Sequence, residues 1–282
     1  MTTALTGTVT DVRVGVLLRG WRERRRISQL ELALRADSSA RHISFVETGR
    51  ARPSRAMVLK LAEHLDVPVR DRNTLLVAAG YAPAFAETPL RDPAMGALRT
   101  GLERLLTAHE PHPALVMDGT YDILAANRGV GLLLGGVAEH LLHTPPNAVR
   151  LTLHPQGLAP RIHNLPEWRA HLLERVRGQI AMRSSDALRR LYQEVSAYPE
   201  PDRPATTGPQ AAAGAAPFPA ELYPYALPLR IEVDGRLLSF VSTVTTFNSP
   251  MDVTVSELAM ETFLPADPAT AEALRALAPA SP

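Results

Sequence analysis

The chain has 282 residues, 45% of them apolar and 21% charged, with a formal net charge of only +1 and no cysteine. That length fits two ordinary globular domains, one small and one of roughly 170 residues, and the apolar content argues against a mainly disordered chain. The missing cysteines exclude disulfides, thiolate metal ligands and cysteine nucleophiles, and no apolar run approaches the roughly 18 residues of a membrane span.

The opening stretch MTTALTGTVTDVR lacks a basic segment followed by an apolar one, so an intracellular, cytoplasmic protein is expected. Beyond it, Ser28 begins a capping box closed by Glu31, which predicts a helix from Gln29 to about Arg35. Asp37 and Ser38 interrupt that helix. Ser39 then caps another that runs through Glu47, and Gly49 supplies the left-handed residue that ends it. Two short helices three or four residues apart have the spacing of a helix-turn-helix. Leu18, Trp21, Leu30, Ala33, Ile43 and Val46 are expected to form its core.

The outward positions carry the chemistry. Ser39 and Ala40 open the second of these helices, followed by Arg41, His42 and Ser44, residue types that read base edges when a helix enters the major groove. Arg41 is the expected base reader. Gln29 is expected to hydrogen-bond a phosphate, and Arg50 and Arg52 sit on the following turn, where they position the backbone without reading sequence. Between Arg13 and Arg55 eleven arginines face four acidic residues, a net +7 that leaves −6 for the rest of the chain. Double-stranded DNA is the natural partner of such a head. One reading helix offers few base contacts, so specificity argues for a homodimer on a pseudo-palindromic operator.

Ser54 caps a fourth helix with Met57, Val58, Leu61 and Leu65 on one side, and a fifth is predicted from Asp71 to Ala79, ended by Gly80. Residues 12–80 therefore read as an all-α, five-helix domain, and the proline-rich 81–92 as a linker. The second domain, 93–267, opens with Asp92 as cap and Pro93 at the first helical position, followed by Met95, Leu98, Leu102, Leu105 and Leu106 at helical spacing. Asp118-Gly119 and Asp234-Gly235 each predict a type I′ hairpin, the first joining ALVM to YDILAA. The second joins a strand bearing Leu227, Leu229, Ile231 and Val233 to the long strand LLSFVSTVTTF, which is expected to be central and covered.

Helices are predicted between the hairpins at Asn127–Leu134, at Asn147–Leu153, from an Asn164 cap to Met182, and onward to Ala197. Residues 199–220, rich in Pro and Ala, read as a flexible loop. The order gives an α+β domain whose antiparallel sheet carries helices over one face.

The first domain resembles the XRE family of bacterial repressors, with its lambda-repressor-like fold. The pattern falls on Leu18, Arg19, Arg22, Ser28, Gln29, Leu32, Ala33, Ile43, Ser44, Glu47 and Gly49. The resemblance implies that Arg22 and Glu47 form a structural salt bridge. Ala40 departs from it where many relatives carry a polar base reader, and is suited instead to a thymine methyl. The second domain, through ALVMDGTYDILAANRG, NLPEWRAHLLERV and DVTVSELAMETFLPAD, resembles the PAS-like ligand-binding domain of MmyB-like regulators. That implies a small, mainly apolar ligand such as a fatty acid or other fatty acyl compound, and a regulator, expected to be a repressor, that responds to it.

Candidate pocket residues are Trp168 and Leu172, one turn apart on the covering helix, although a tryptophan there is more often core. Tyr121, Thr243 and Thr245 offer hydroxyls from strands. Arg128 and Arg169 could pair with a carboxylate, against the commoner reading as solvated surface charges. His154 and His163 are too far apart for a helix-based metal pair. No metal and no cofactor is expected, and no GxSxG, HExxH or phosphate loop supports an enzyme. GVGLLLGG reads as packing or loop glycines. A purely dimerising or protein-binding second domain remains the rival to a sensor.

Overall fold

A computed structural model describes residues 13–143, 145–183, 185–201, 226–248 and 250–277. The chain divides into two compact units, one taking in the chain to Glu87 with the short segments Ala181–Ser184 and Met251–Ser256, the other the remainder.

The first unit is built on α1 (Val14–Arg24), α2 (Gln29–Arg35), α3 (Ala40–Glu47), α4 (Arg55–His64) and α5 (Val69–Ala78). Three hydroxyl caps start its inner helices: Ser28 accepts from the Glu31 N–H, Ser39 from His42 and Ser54 from Met57. Each satisfies a backbone donor that the helix itself cannot. Gly49 and Gly80 take the left-handed conformation just past α3 and α5, at φ 74° and 81°. The fifth helix begins two residues before the expected Asp71, because the Arg72 N–H already reaches the Pro68 carbonyl at 2.9 Å.

Leu18, Trp21, Leu32, Ala33, Ile43, Val46 and Leu61 are buried together in its core. Leu30 is not among them, contrary to expectation, and is 61% exposed. The Ser28 cap fixes the phase of α2, so Leu32, Ala33 and Ala36 turn inward while Leu30 and Leu34, one turn apart, point out. At Gly15 a Cβ would lie 2.3 Å from the Val46 carbonyl oxygen, so glycine lets the α1 and α3 backbones meet. Asn73 ties the chain beyond α5 back to this unit, donating to the Phe85 carbonyl and accepting from the Ala84 and Phe85 N–H groups.

The second unit begins with a 3₁₀ turn at Pro93–Met95, capped by Asp92, that runs into α6 (Gly96–Ala108). Then follow β1 (Ala114–Met117), β2 (Ile123–Ala126), α7 (Arg128–Leu133), α8 (Ala148–Leu153), α9 (Leu165–Met182) and α10 (Asp186–Ser196). It closes with β3 (Leu229–Val233), β4 (Arg236–Thr246), β5 (Ala259–Pro265) and α12 (Pro268–Leu277); the short α11 (Val253–Glu257) lies in the β4–β5 connection. The five strands form one antiparallel sheet in the order β2-β1-β5-β4-β3, so the last strand lies between the first and the fourth. With helices packed on it, the unit is an α+β, PAS-like domain.

Several local expectations are corrected. Asp234-Gly235 is a two-residue hairpin with φ 49° and 72°, as type I′ requires. Asp118-Gly119 is not: the Asp118 carboxylate accepts from the Thr120 N–H and hydroxyl and from the Asp122 N–H, a competing Asx turn, and the positive φ falls on Tyr121 at 67°. The Asn164 side chain does not cap α9. It bonds the Pro228 carbonyl and the Arg230 N–H and so anchors the start of β3. Leu227, 37% exposed, precedes β3 and is not part of its buried face.

The sheet is covered on both faces, not one. Leu115 and Met117 of β1 join the core under α7–α10, whereas Ala114 and Val116, on the alternate face, pack with Leu102 and Leu106 of α6. Leu105 lies on the outer side of α6, 50% exposed. Nor is β4 covered throughout, since β3 pairs only with its first five residues and Thr243–Thr246 are exposed. The fold runs past Asp267: the Thr270 hydroxyl of α12 accepts from the buried Ser239 N–H. Of the expected 199–220 loop, residues 202–220 lie outside the described residues.

Candidate functional site

The first site is the outer surface of α3. Arg41 is exposed and Ala40, His42 and Ser44 are half-buried, while the Ser39 hydroxyl is spent on capping. The Arg41 and Arg50 guanidinium groups both lie over the Phe45 ring, 5.2 and 6.0 Å from its centre. Phe45 was passed over in the sequence because it falls between the polar positions of the reading helix. Its half-buried ring lies near one cation from the first turn of α3 and one from beyond its C-terminus.

Behind α3, Glu47 holds the frame. Its side chain is 2% exposed and accepts from Arg22 Nε at 2.6 Å, Arg22 Nη2 at 2.8 Å and Gln29 Nε2 at 2.8 Å. Arg22 also donates to the Ile27 carbonyl, and its hydrogen bonds to Glu47 raise its pKa further above the ordinary arginine value. The salt bridge implied by the resemblance is thus present and is fixed by Gln29 as well. One of the two amide protons of Gln29 is committed to Glu47, which orients the side chain and leaves one donor for a phosphate. Arg52 donates to the Ala79 carbonyl at the end of α5 and Arg25 to the carbonyls of Leu65 and Asp66 at the end of α4. These arginines close helix termini, so the full +7 is not available to a ligand.

The second site is a cavity of about 60 Å³ on the face of the sheet that packs under α7–α10. Tyr121, Trp168 and Leu172, all candidates from the sequence, line it together with Leu115, Val149 and Phe263. Arg128, Arg169, Thr243 and Thr245 do not. Arg128 is exposed, and Arg169 donates to the carbonyls of Ser196 and Tyr198. Thr243 pairs across the sheet with Thr262, their hydroxyls 2.7 Å apart, and Thr245 pairs with Met260. Those partners lie on the α6 face, so strand alternation turns both threonines away from the cavity.

Two charged lining residues were not among the candidates from the sequence. Arg175 of α9 and Glu261 of β5 meet in a bidentate pair, at 2.9 and 3.0 Å, in a wall that is otherwise largely apolar. The Arg175 guanidinium also lies 5.4 Å from the centre of the Tyr121 ring. Burial works against its charge, but the hydrogen bonds and charge of Glu261 outweigh that and keep its pKa above the ordinary value. Arg175 is seven residues beyond Trp168, two helical turns along the same face; that spacing was the available signal. Glu261 carried none, because a glutamate inside AMETFLP looks like the polar side of a strand.

Trp168 is 2% exposed and its indole N–H has no hydrogen-bond partner. Its neighbour His171 is held below its ordinary pKa, chiefly by burial and then by Arg175. His154 lies against His140 and Tyr198, and His163 against Glu232, so the two sequence-noted histidines are not brought together. Among the described residues no cluster of His, Asp and Glu is arranged to hold a metal ion, and no helix is long and apolar enough to cross a membrane.

A capped helix-turn-helix carrying exposed cations, joined in one chain to a domain with an internal apolar cavity, defines a DNA-binding transcription regulator with a ligand-binding domain. Family comparison agrees. The model for the MmyB-like transcription regulator ligand binding domain matches residues 98–277, and a helix-turn-helix model matches residues 18–71. The chain belongs to the MmyB-like transcription regulators, with an XRE-type helix-turn-helix at its N-terminal end. No curated protein matches it.

Proposed function

We propose that the protein is a repressor that binds a pseudo-palindromic operator as a homodimer and is released when its second domain takes up a small, mainly apolar ligand, with fatty acyl compounds as the class. The observation that carries this reading is the mainly apolar cavity, partly open to solvent, with a polar pole formed by Arg175 and Glu261. A purely dimerising domain has no use for such a space. At about 60 Å³ the cavity is smaller than the several hundred Å³ of an ordinary ligand pocket. A short apolar group fits as it stands, and a longer chain enters by parting the side chains, a coupling of occupancy to domain shape.

Three to four reading residues on α3 supply too few base contacts for genomic specificity, which supports two half-sites about one helical turn apart. Base contacts are assigned to Arg41 with Ala40, His42 and Ser44, and phosphate contacts to Gln29 and Arg50, Arg52 being held instead by the Ala79 carbonyl. The second domain acts by binding, without turnover.

Selection of bound duplexes from random DNA, followed by anisotropy titration on the enriched sequence with and without medium-chain acyl compounds, tests the proposal. An inverted repeat whose affinity falls on ligand addition is expected, with the ligand recovered chemically unchanged. Reciprocity adds a check: a ligand that weakens operator binding tenfold must itself bind tenfold more weakly to the complex, about 1.4 kcal/mol of coupling. A single unrepeated site overturns the dimer, and an affinity blind to every apolar compound returns the domain to a docking module.

A further inference from the structure

The polar pole of the cavity is formed by Arg175 and Glu261. Three observations bear on it. Arg175 is the one cation among the described lining residues, and it meets the Glu261 carboxylate through two hydrogen bonds. Glu261 is 6% exposed, so its charge is poorly screened by water. Trp168 is among the residues lining the same cavity, and its buried indole N–H has no acceptor.

A ligand carboxylate placed here meets a guanidinium whose charge is spent and a buried carboxylate that repels it. To use Arg175 it must displace Glu261, leaving that anion buried and unpaired, among the costliest changes a protein interior can undergo. An uncharged carbonyl meets neither obstacle. Its oxygen accepts from the Trp168 N–H, a buried donor with no acceptor among the protein's own groups, while its hydrocarbon adds apolar contacts. The remaining lone pairs of Glu261 suit a ligand N–H or O–H.

We propose that the cavity selects an acyl compound with an uncharged carbonyl head, an amide, ester or ketone, over the corresponding free carboxylate, with Trp168 Nε1 as the donor and the Arg175–Glu261 pair as the element that rejects the anion. This rests on the sensing reading above and names the ligand chemistry of the same site.

Octanamide and octanoate test it, since they share shape and chain and differ in charge at near-neutral pH. Binding to the full chain is measured by calorimetry and by the rise in Tm. The expected result is octanamide tighter by about tenfold or more, a difference of about 1.4 kcal/mol. Trp168→Phe, which keeps an aromatic ring and removes the N–H, should weaken octanamide roughly fivefold and shrink the preference. Glu261→Gln, which frees the Arg175 charge while leaving it an acceptor, should move the preference toward octanoate by about tenfold. Octanoate binding the wild type as tightly as octanamide overturns the uncharged-head inference and leaves ligand sensing standing. Binding of neither overturns both. If Glu261→Gln does not fold, the wild-type preference and its response to Trp168→Phe still decide the matter.

Discussion

Replacing Glu47 with alanine tests the frame of the DNA-reading unit. The carboxylate is 2% exposed and accepts three hydrogen bonds, two from Arg22 and one from Gln29, all between 2.6 and 2.8 Å. In Glu47→Ala the Arg22 side chain, itself 11% exposed, keeps only the Ile27 carbonyl as acceptor, so a charge is left buried with most of its compensation gone. Breaking a buried pair from one side costs about 3 to 5 kcal/mol. The lower figure applies here, because Arg22 can swing toward solvent beside the exposed Glu23. For a unit of this size, about 3 kcal/mol lowers Tm by at least ~12 °C and removes a large part of a total stability on the order of 5 kcal/mol. Urea denaturation followed by tryptophan emission in a Trp168→Phe background reports Trp21 alone, which is buried in this unit. The pair also predicts its own rescue: Arg22→Met with Glu47→Leu should recover most of the loss, since neither charge then remains. A loss below about 1 kcal/mol for Glu47→Ala would mean that the network is solvated in solution, and no rescue by the double variant would mean that α1 and α3 are held by something other than this pair.

Three further outcomes follow from the geometry. Arg41→Ala should cost about 1 to 3 kcal/mol per half-site and relax specificity at one base pair, while Gln29→Ala weakens all sequences alike; equal losses for Arg41→Ala on operator and random DNA would move Arg41 to the backbone. Gly15→Ala places a methyl 2.3 Å from the Val46 carbonyl oxygen and should destabilise the first unit by about 2 kcal/mol, with urea midpoints as the check and an unchanged midpoint as the refutation. In the second unit His112, His154 and His171 are all held below their ordinary pKa, chiefly by burial. Their neutral forms contribute stability that is complete above about pH 6.5 and is lost as the pH falls through the lower folded-state values. The Tm of the second unit should therefore drop on acidification from about pH 7 to pH 5, and a flat profile would show that all three titrate as they do when unfolded.

The first unit was legible because its signals are local. Ser28, Ser39 and Ser54 cap helices within three residues of themselves, and the Gly49 and Gly80 stops need no tertiary partner. Where the apolar pattern is read without the exact phase of the helix the expectation fails: apolar spacing puts Leu30 in the core, whereas α2 buries Leu32, Ala33 and Ala36 and turns Leu30 outward. The second unit was less legible because its decisive contacts are distant in sequence. β5 enters between β1 and β4, so the face on which Thr243 lies is set by Thr262, and the face of Glu261 by Leu115 and Val244. Short-range pattern cannot give that register. Asp118-Gly119 and Asp234-Gly235 make the same point at one turn: the dipeptides match, yet Thr120 gives Asp118 a different set of partners.

The two buried Arg–Glu pairs differ in what they do for the molecule. Such pairs contribute little net stability, because desolvation offsets most of their attraction, and apolar residues of similar volume often serve as well. Arg22–Glu47 joins helices that the Gly15 contact already brings together, and by recruiting Gln29 it fixes the rotation of α3 relative to α2, the property on which groove entry depends. Arg175–Glu261 joins α9 to β5, where Trp168, Leu172 and Phe263 supply apolar contact without it. Its distinct contribution there is chemical: it places two charges in a cavity wall at zero net charge, strong enough to exclude an anion and arranged so that neither is open to capture one. A Leu–Met pair at those positions would build a cavity of the same outline that accepts any apolar tail regardless of its head. The ion pair is therefore best understood as a specificity element, whose removal should broaden ligand choice before it lowers the stability of the domain.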